Sequence, residues 1–150
     1  QAALLPRLST LASQNKIAEL WHELKHLLVL VGALGVGAVA VMAAIGPQIV
    51  EMAFGAEFAV SRQDMVLLAA SSAGLMVVLS LTQALIACRA QGRMALAWVL
   101  GVVAFPLTLV LAGDQLFLRV ELALIATVLV AAVAMFVLLL RRLAIEKAFV

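Results

Sequence analysis

The sequence predicts an all-α integral membrane protein with four transmembrane helices, and three observations carry that prediction. Of the 150 residues, 67% are hydrophobic and 12% are charged, whereas a soluble domain is about half apolar and about a quarter charged. The apolar residues gather in four uncharged runs, each near the ~20 residues that a helix needs to cross a bilayer. Lys and Arg separate cleanly between alternate connections. The runs are continuously apolar, which excludes the alternating strands of a membrane barrel. The composition also excludes intrinsic disorder, and the single cysteine, Cys88, excludes a disulfide scaffold. A net charge of +2, with no basic run carrying interleaved aromatics, gives no reason to expect a nucleic-acid partner.

In chain order, residues 1–12 read as the inner end of a preceding helix. The first residues are apolar, without a charged leader or a cleavage site, and the chain starts at Gln1. The expectation is a fragment whose N-terminal part is missing. Residues 13–26 form a different kind of segment. Ile17, Leu20, Trp21, Leu24 and Leu28 repeat at helical spacing. Lys16, Glu19, Glu23 and Lys25 fill the other face, and Asn15 suits an N-cap. This predicts an amphipathic helix over about 15–26, lying on the membrane surface.

The four spans are expected at about 27–50, 65–88, 94–112 and 122–140, with a tail at 141–150. Their connections are short, so consecutive helices run antiparallel side by side. Eight of the ten Lys and Arg fall in the N-terminal segment, the Arg89–Arg93 connection and the tail; only Arg62 and Arg119 fall on the other side. The positive-inside rule then puts both ends of the chain and the Arg89–Arg93 turn in the cytoplasm.

Few residues suggest chemistry. His22-Glu23-Leu24-Lys25-His26 matches a zinc-protease pattern, in which two His at i and i+4 share a metal and the Glu acts as base. Lys25 places a cation between the ligands, and no third ligand follows on the same side of the membrane. The expectation is no metal and no catalytic centre. Gln83, Ser72 and Ser80 share one arc of the second span, and Ser71, Thr82 and Arg89 share another. Polar groups at membrane depth either bond between helices or line a wet path. Ser72, Ser80 and Gln83 are therefore the candidate wall of a transport path. Arg89 and Arg93 stand at the inner boundary, where they anchor topology or hold an anionic headgroup, for which Arg geometry is suited. Ala33, Gly37, Ala40 and Ala44 form a small-residue stripe suited to close packing. Gly37, Pro47 and Pro106 are candidate hinges, with Pro106 expected to kink or break the third span. Thr108 or a neighbour is a candidate partner for the carbonyl that Pro106 frees. The four runs hold no acid or lysine, which speaks against an ion site inside them.

Three short motifs resemble a known family. Leu5-Pro6-Arg7-Leu8-Ser9-Thr10-Leu11 is similar to the cytoplasmic end of a helix in polysaccharide flippases. Pro47 with Phe54-Gly55-Ala56-Glu57-Phe58 is similar to their periplasmic connection, and Ala87-Cys88-Arg89-Ala90-Gln91-Gly92-Arg93 to their "small residue, then Gly-Arg" turn. Order and spacing agree for all three. The resemblance is to the O-antigen and exopolysaccharide flippases of the superfamily that includes multidrug exporters.

It implies a two-lobed alternating-access transporter in a bacterial cytoplasmic membrane, of which this chain is the C-terminal part of the second lobe. The implied substrate is an undecaprenyl-pyrophosphate-linked oligosaccharide for lipopolysaccharide or related polysaccharide synthesis. The implied partners are membrane lipids and other polysaccharide-assembly membrane proteins, with no cofactor. Three other functions stay open: a drug or other-lipid exporter of that superfamily, a membrane metalloprotease using His22, Glu23 and His26, and a stand-alone four-helix structural subunit.

Overall fold

The computed structural model describes residues 10, 14, 17–55, 57, 60–113 and 115–148, without the side chains of 17 and 142–148. The described residues form four helices: α1 Ile17–Phe54, α2 Arg62–Ala87, α3 Gln91–Leu111 and α4 Leu116–Ala148. Each is long and apolar enough to cross a membrane. The regular structure of the described residues is all α-helix apart from a single 3₁₀ position at Glu57, with the character of a multi-pass membrane protein. The motif at 5–11 and the cap at Asn15 lie outside the described residues, apart from Thr10.

The helices extend further than the apolar runs. α1 has 38 residues, roughly 57 Å at 1.5 Å per residue. That is well beyond the ~30 Å hydrocarbon core. The surface segment expected at 15–26 and the first span share this one helix. Nothing between Lys25 and Leu27 breaks the backbone hydrogen bonds, so residues 17–26 continue the axis of the span. Pro47 lies inside α1 without ending it. α1 stops at Gly55, whose φ of +93° is open to glycine alone at little cost. The Gly55 N–H donates to Glu51 O at 2.8 Å. Ser61 starts α2, its hydroxyl accepting from the Asp64 N–H at 3.1 Å.

Pro106 does not break α3, which runs unbroken from Gln91 to Leu111. The Thr108 hydroxyl donates to Ala104 O at 2.9 Å, and not to Val102 O, the carbonyl that Pro106 leaves free.

The packing order is α1, α2, α4, α3, with α2 and α4 in the middle. Close approach depends on glycine. A Cβ at Gly35 would stand 2.8 Å from Ala73 Cβ, one at Gly74 2.7 Å from Val128 Cγ2, and one at Gly101 2.9 Å from Ala131 Cβ. These three positions bring α1 to α2, α2 to α4 and α3 to α4 at backbone distance. The stripe expected to do this is placed elsewhere: Ala33, Gly37, Ala40 and Ala44 are all exposed, and a Cβ at Gly37 would meet nothing within 4 Å. Spacing marks a small-residue face, but where α2 lies decides which face is used.

The densest core is at one end of the array. Leu20 and Leu24 of α1, Leu81 and Leu85 of α2, and Met135 and Leu139 of α4 form one buried cluster with Cys88 and Ala90. Trp21 and Phe136 stack tilted at 41°, with ring centroids 6.2 Å apart. The start of α1, the α2–α3 turn and the end of α4 therefore share one end, which is where the basic residues concentrate.

Candidate functional site

The α2–α3 turn gathers the most chemistry. α2 ends at Ala87 with Cys88 as its C-cap. The Ala90 N–H donates to Leu85 O at 2.9 Å and the Arg89 N–H to Ile86 O at 3.0 Å. This is the paired closure that normally puts glycine at the left-handed position. Here the residue is Arg89, with φ +53°. A left-handed L-residue costs about 1 kcal/mol, so the sequence tolerates strain where a glycine would relieve it. Strain of this kind is kept where a side chain is needed.

α3 begins immediately, with Ala90 as an N-cap that offers no side-chain acceptor. Its first N–H groups, at the positive end of its dipole, receive no side-chain cap. Arg89 and Arg93 are both exposed. With Ala90 and Gly92 they line one cavity of about 350 Å³. Gly92 leaves the approach open, since a Cβ there would meet nothing within 4 Å. Both arginines and a helix N-terminus thus border one cavity, and no acid is among the residues that line it. This arrangement can hold a phosphate or pyrophosphate by charge-assisted hydrogen bonds.

The polar residues of α2 are separated by the packing. Ser72 is exposed and Ser80 is buried, with Gln83 half-buried. The hydroxyls turn back on their own helix: Ser71 and Ser72 donate to Leu68 O at 2.8 and 2.9 Å, and Ser80 to Met76 O at 2.9 Å. Bonding to the i−3 or i−4 carbonyl satisfies a hydroxyl inside a helix without a partner chain. Thr82 also bonds Val78 O, and it alone of these hydroxyls reaches another helix, at 3.4 Å from Met135 Sδ of α4. Ser72 instead lies in a groove of about 510 Å³ between α1 and α2. Gly35, Ala38, Met42, Met65 and Met76 are among the other residues lining it, and Ser72 is its one polar side chain. With that hydroxyl bonded to Leu68 O, the groove offers an almost purely apolar surface. Its Met lining adapts to irregular apolar chains.

Of the candidate hinges, Gly37 is exposed, Pro47 half-buried and Pro106 exposed. His22 and His26 are exposed on α1 with Glu23 half-buried between them. Among the described residues no group of three or more metal-ligating side chains forms.

Glu121 stands just before the apolar run expected at 122–140, but α4 starts at Leu116 and includes it. Glu121 is 3% exposed, and its Oε2 is buried without a hydrogen-bond partner among the described residues. The residues from Leu116 to Leu122 contain no helix breaker, which was the available signal. No family model, no curated protein and no solved structure matches this chain.

Proposed function

We propose that this chain is the C-terminal part of a flippase for polysaccharide precursors, moving an undecaprenyl-pyrophosphate-linked oligosaccharide from the inner to the outer leaflet of a bacterial cytoplasmic membrane. The observation that carries this reading is the cavity shared by Arg89 and Arg93 at the uncapped start of α3. Planar guanidiniums beside a helix N-terminus suit the vicinal charges of a pyrophosphate. The retained left-handed Arg89 supports a role for its side chain over its backbone.

The α1–α2 groove supports the lipid part of the substrate. Its rim at Met76 stands about 20 Å along α2 from Arg89, at 1.5 Å per residue. A polyprenyl chain is long enough to cover that distance from a headgroup held at the turn. Both ends of the chain are cytoplasmic in this reading, because the basic end of the array faces inward. Alternating access then rocks this lobe against another, and the lipid-exposed outer surface leaves the helices free to move as a unit. Nothing in this mechanism calls for a catalytic residue or a cofactor.

The apolar groove favours one second reading, an exporter of apolar drugs or other lipids of the same superfamily. Reconstitution separates the two. Full-length protein in vesicles carrying a fluorescent undecaprenyl-pyrophosphate oligosaccharide is expected to make the sugar accessible on the opposite face. The corresponding lipid without pyrophosphate is expected to move far more slowly. Equal rates for the two lipids would favour the second reading, and no movement of either would refute the proposal.

A further inference from the structure

At the opposite end of the array from Arg89 and Arg93, Glu121 poses a problem of charge. It is 3% exposed on α4, and its Oε2 meets no hydrogen-bond partner among the described residues. An ionised carboxylate is rarely buried unless a cation or several donors meet it. The described residues provide neither for this oxygen. Arg119, two residues earlier, is turned to α3, where its Nε and Nη2 both donate to Leu109 O. It thereby closes the C-terminus of α3, whose carbonyls favour a cation. α2 brings Asp64, a second acid that is half-buried, and Arg62, which is exposed. At this end α3 brings no ionisable group among the described residues, and Glu51 of α1 is exposed.

Glu121 and Asp64 lie near the starts of α4 and α2, and an orphan buried carboxyl oxygen with no counter-ion among the described residues can hold a proton. They are too few to hold a metal, and no third ligand joins them among the described residues. We infer that Glu121 is a proton-binding site that holds α4 docked at the end of the array opposite Arg89 and Arg93. With the proton bound, the carboxyl is neutral and α4 stays docked. Once it leaves, the charge draws in water and this end opens. The inference rests on the buried carboxylate and not on the transport reading.

The test uses full-length protein in lipid vesicles and dicyclohexylcarbodiimide, an apolar reagent that attacks protonated carboxyls in apolar surroundings. Modified residues are located by mass spectrometry across a pH series. Glu121 is expected to be labelled while exposed Glu51 and Glu57 are not. Labelling should fall about tenfold per pH unit beyond its midpoint. Glu121→Gln should lose the label. Two results would overturn the inference: no label on Glu121 at any pH, or protection by sodium at constant pH, which would make the ligand a metal cation.

Discussion

The packing of α3 on α4 depends on the missing side chain at Gly101, which makes that position the sharpest place to perturb the fold. A Cβ added there would stand 2.9 Å from Ala131 Cβ and 3.0 Å from Thr127 O. Carbon atoms pack best at about 3.5–4.0 Å, so Gly101→Ala forces the two helices apart by roughly 1 Å. Ala131 is fully buried and cannot yield by changing rotamer. Overpacking of this kind costs about 1–3 kcal/mol, against a gain of up to ~1 kcal/mol from helix propensity. The expected net loss for Gly101→Ala is about 1–2 kcal/mol, larger for Gly101→Leu.

Gly37→Ala is the control, because nothing lies within 4 Å of its Cβ and only the propensity gain remains. Unfolding of the purified protein in mixed micelles, followed by loss of helical signal, reads both. Combining Gly101→Ala with Ala131→Gly should recover most of the loss, and the double-mutant cycle isolates the contact. The reasoning is refuted if Gly101→Ala is as stable as Gly37→Ala, or if Ala131→Gly fails to rescue it.

Two further predictions follow from the ends of the helices. Arg89→Gly should stabilise the fold by up to about 1 kcal/mol, by relieving the left-handed backbone, while weakening affinity for pyrophosphate lipid in a vesicle-binding assay; unchanged affinity would leave the Arg89 side chain without a role. In a Cys88→Ser background, a membrane-impermeant maleimide should reach Ser61→Cys in intact cells and Gln91→Cys only after lysis, and the reverse pattern would invert the topology.

Much of the fold was legible because four uncharged runs leave no alternative to spanning helices. Their ends were less so. Charged residues such as Lys25 and Arg141 mark where an apolar run stops, not where a helix stops, so α1 begins before its run and α4 continues beyond its own to Ala148. The close-packing glycines were misassigned for a related reason. Gly37 and Gly35 differ by two residues on the same helix, and only the position of α2 distinguishes them.

Ser72, Ser80 and Gln83 share an arc on a helical wheel, but that arc straddles the α1 groove and the core, so they do not present one wall. Arg89 and Arg93 were legible as a pair because only three residues separate them, across the α2–α3 turn and the start of α3. Glu121 was not, because its burial is set by α2 and α4 together.

The most direct test of the functional account is the rate at which full-length protein carrying both Arg89→Ala and Arg93→Ala moves the pyrophosphate-linked oligosaccharide across a vesicle membrane. The account predicts normal insertion and folding, with transfer at least about tenfold slower, the equivalent of one lost charge-assisted contact of ~1.4 kcal/mol. Transfer at the wild-type rate by normally inserted double variant would contradict it.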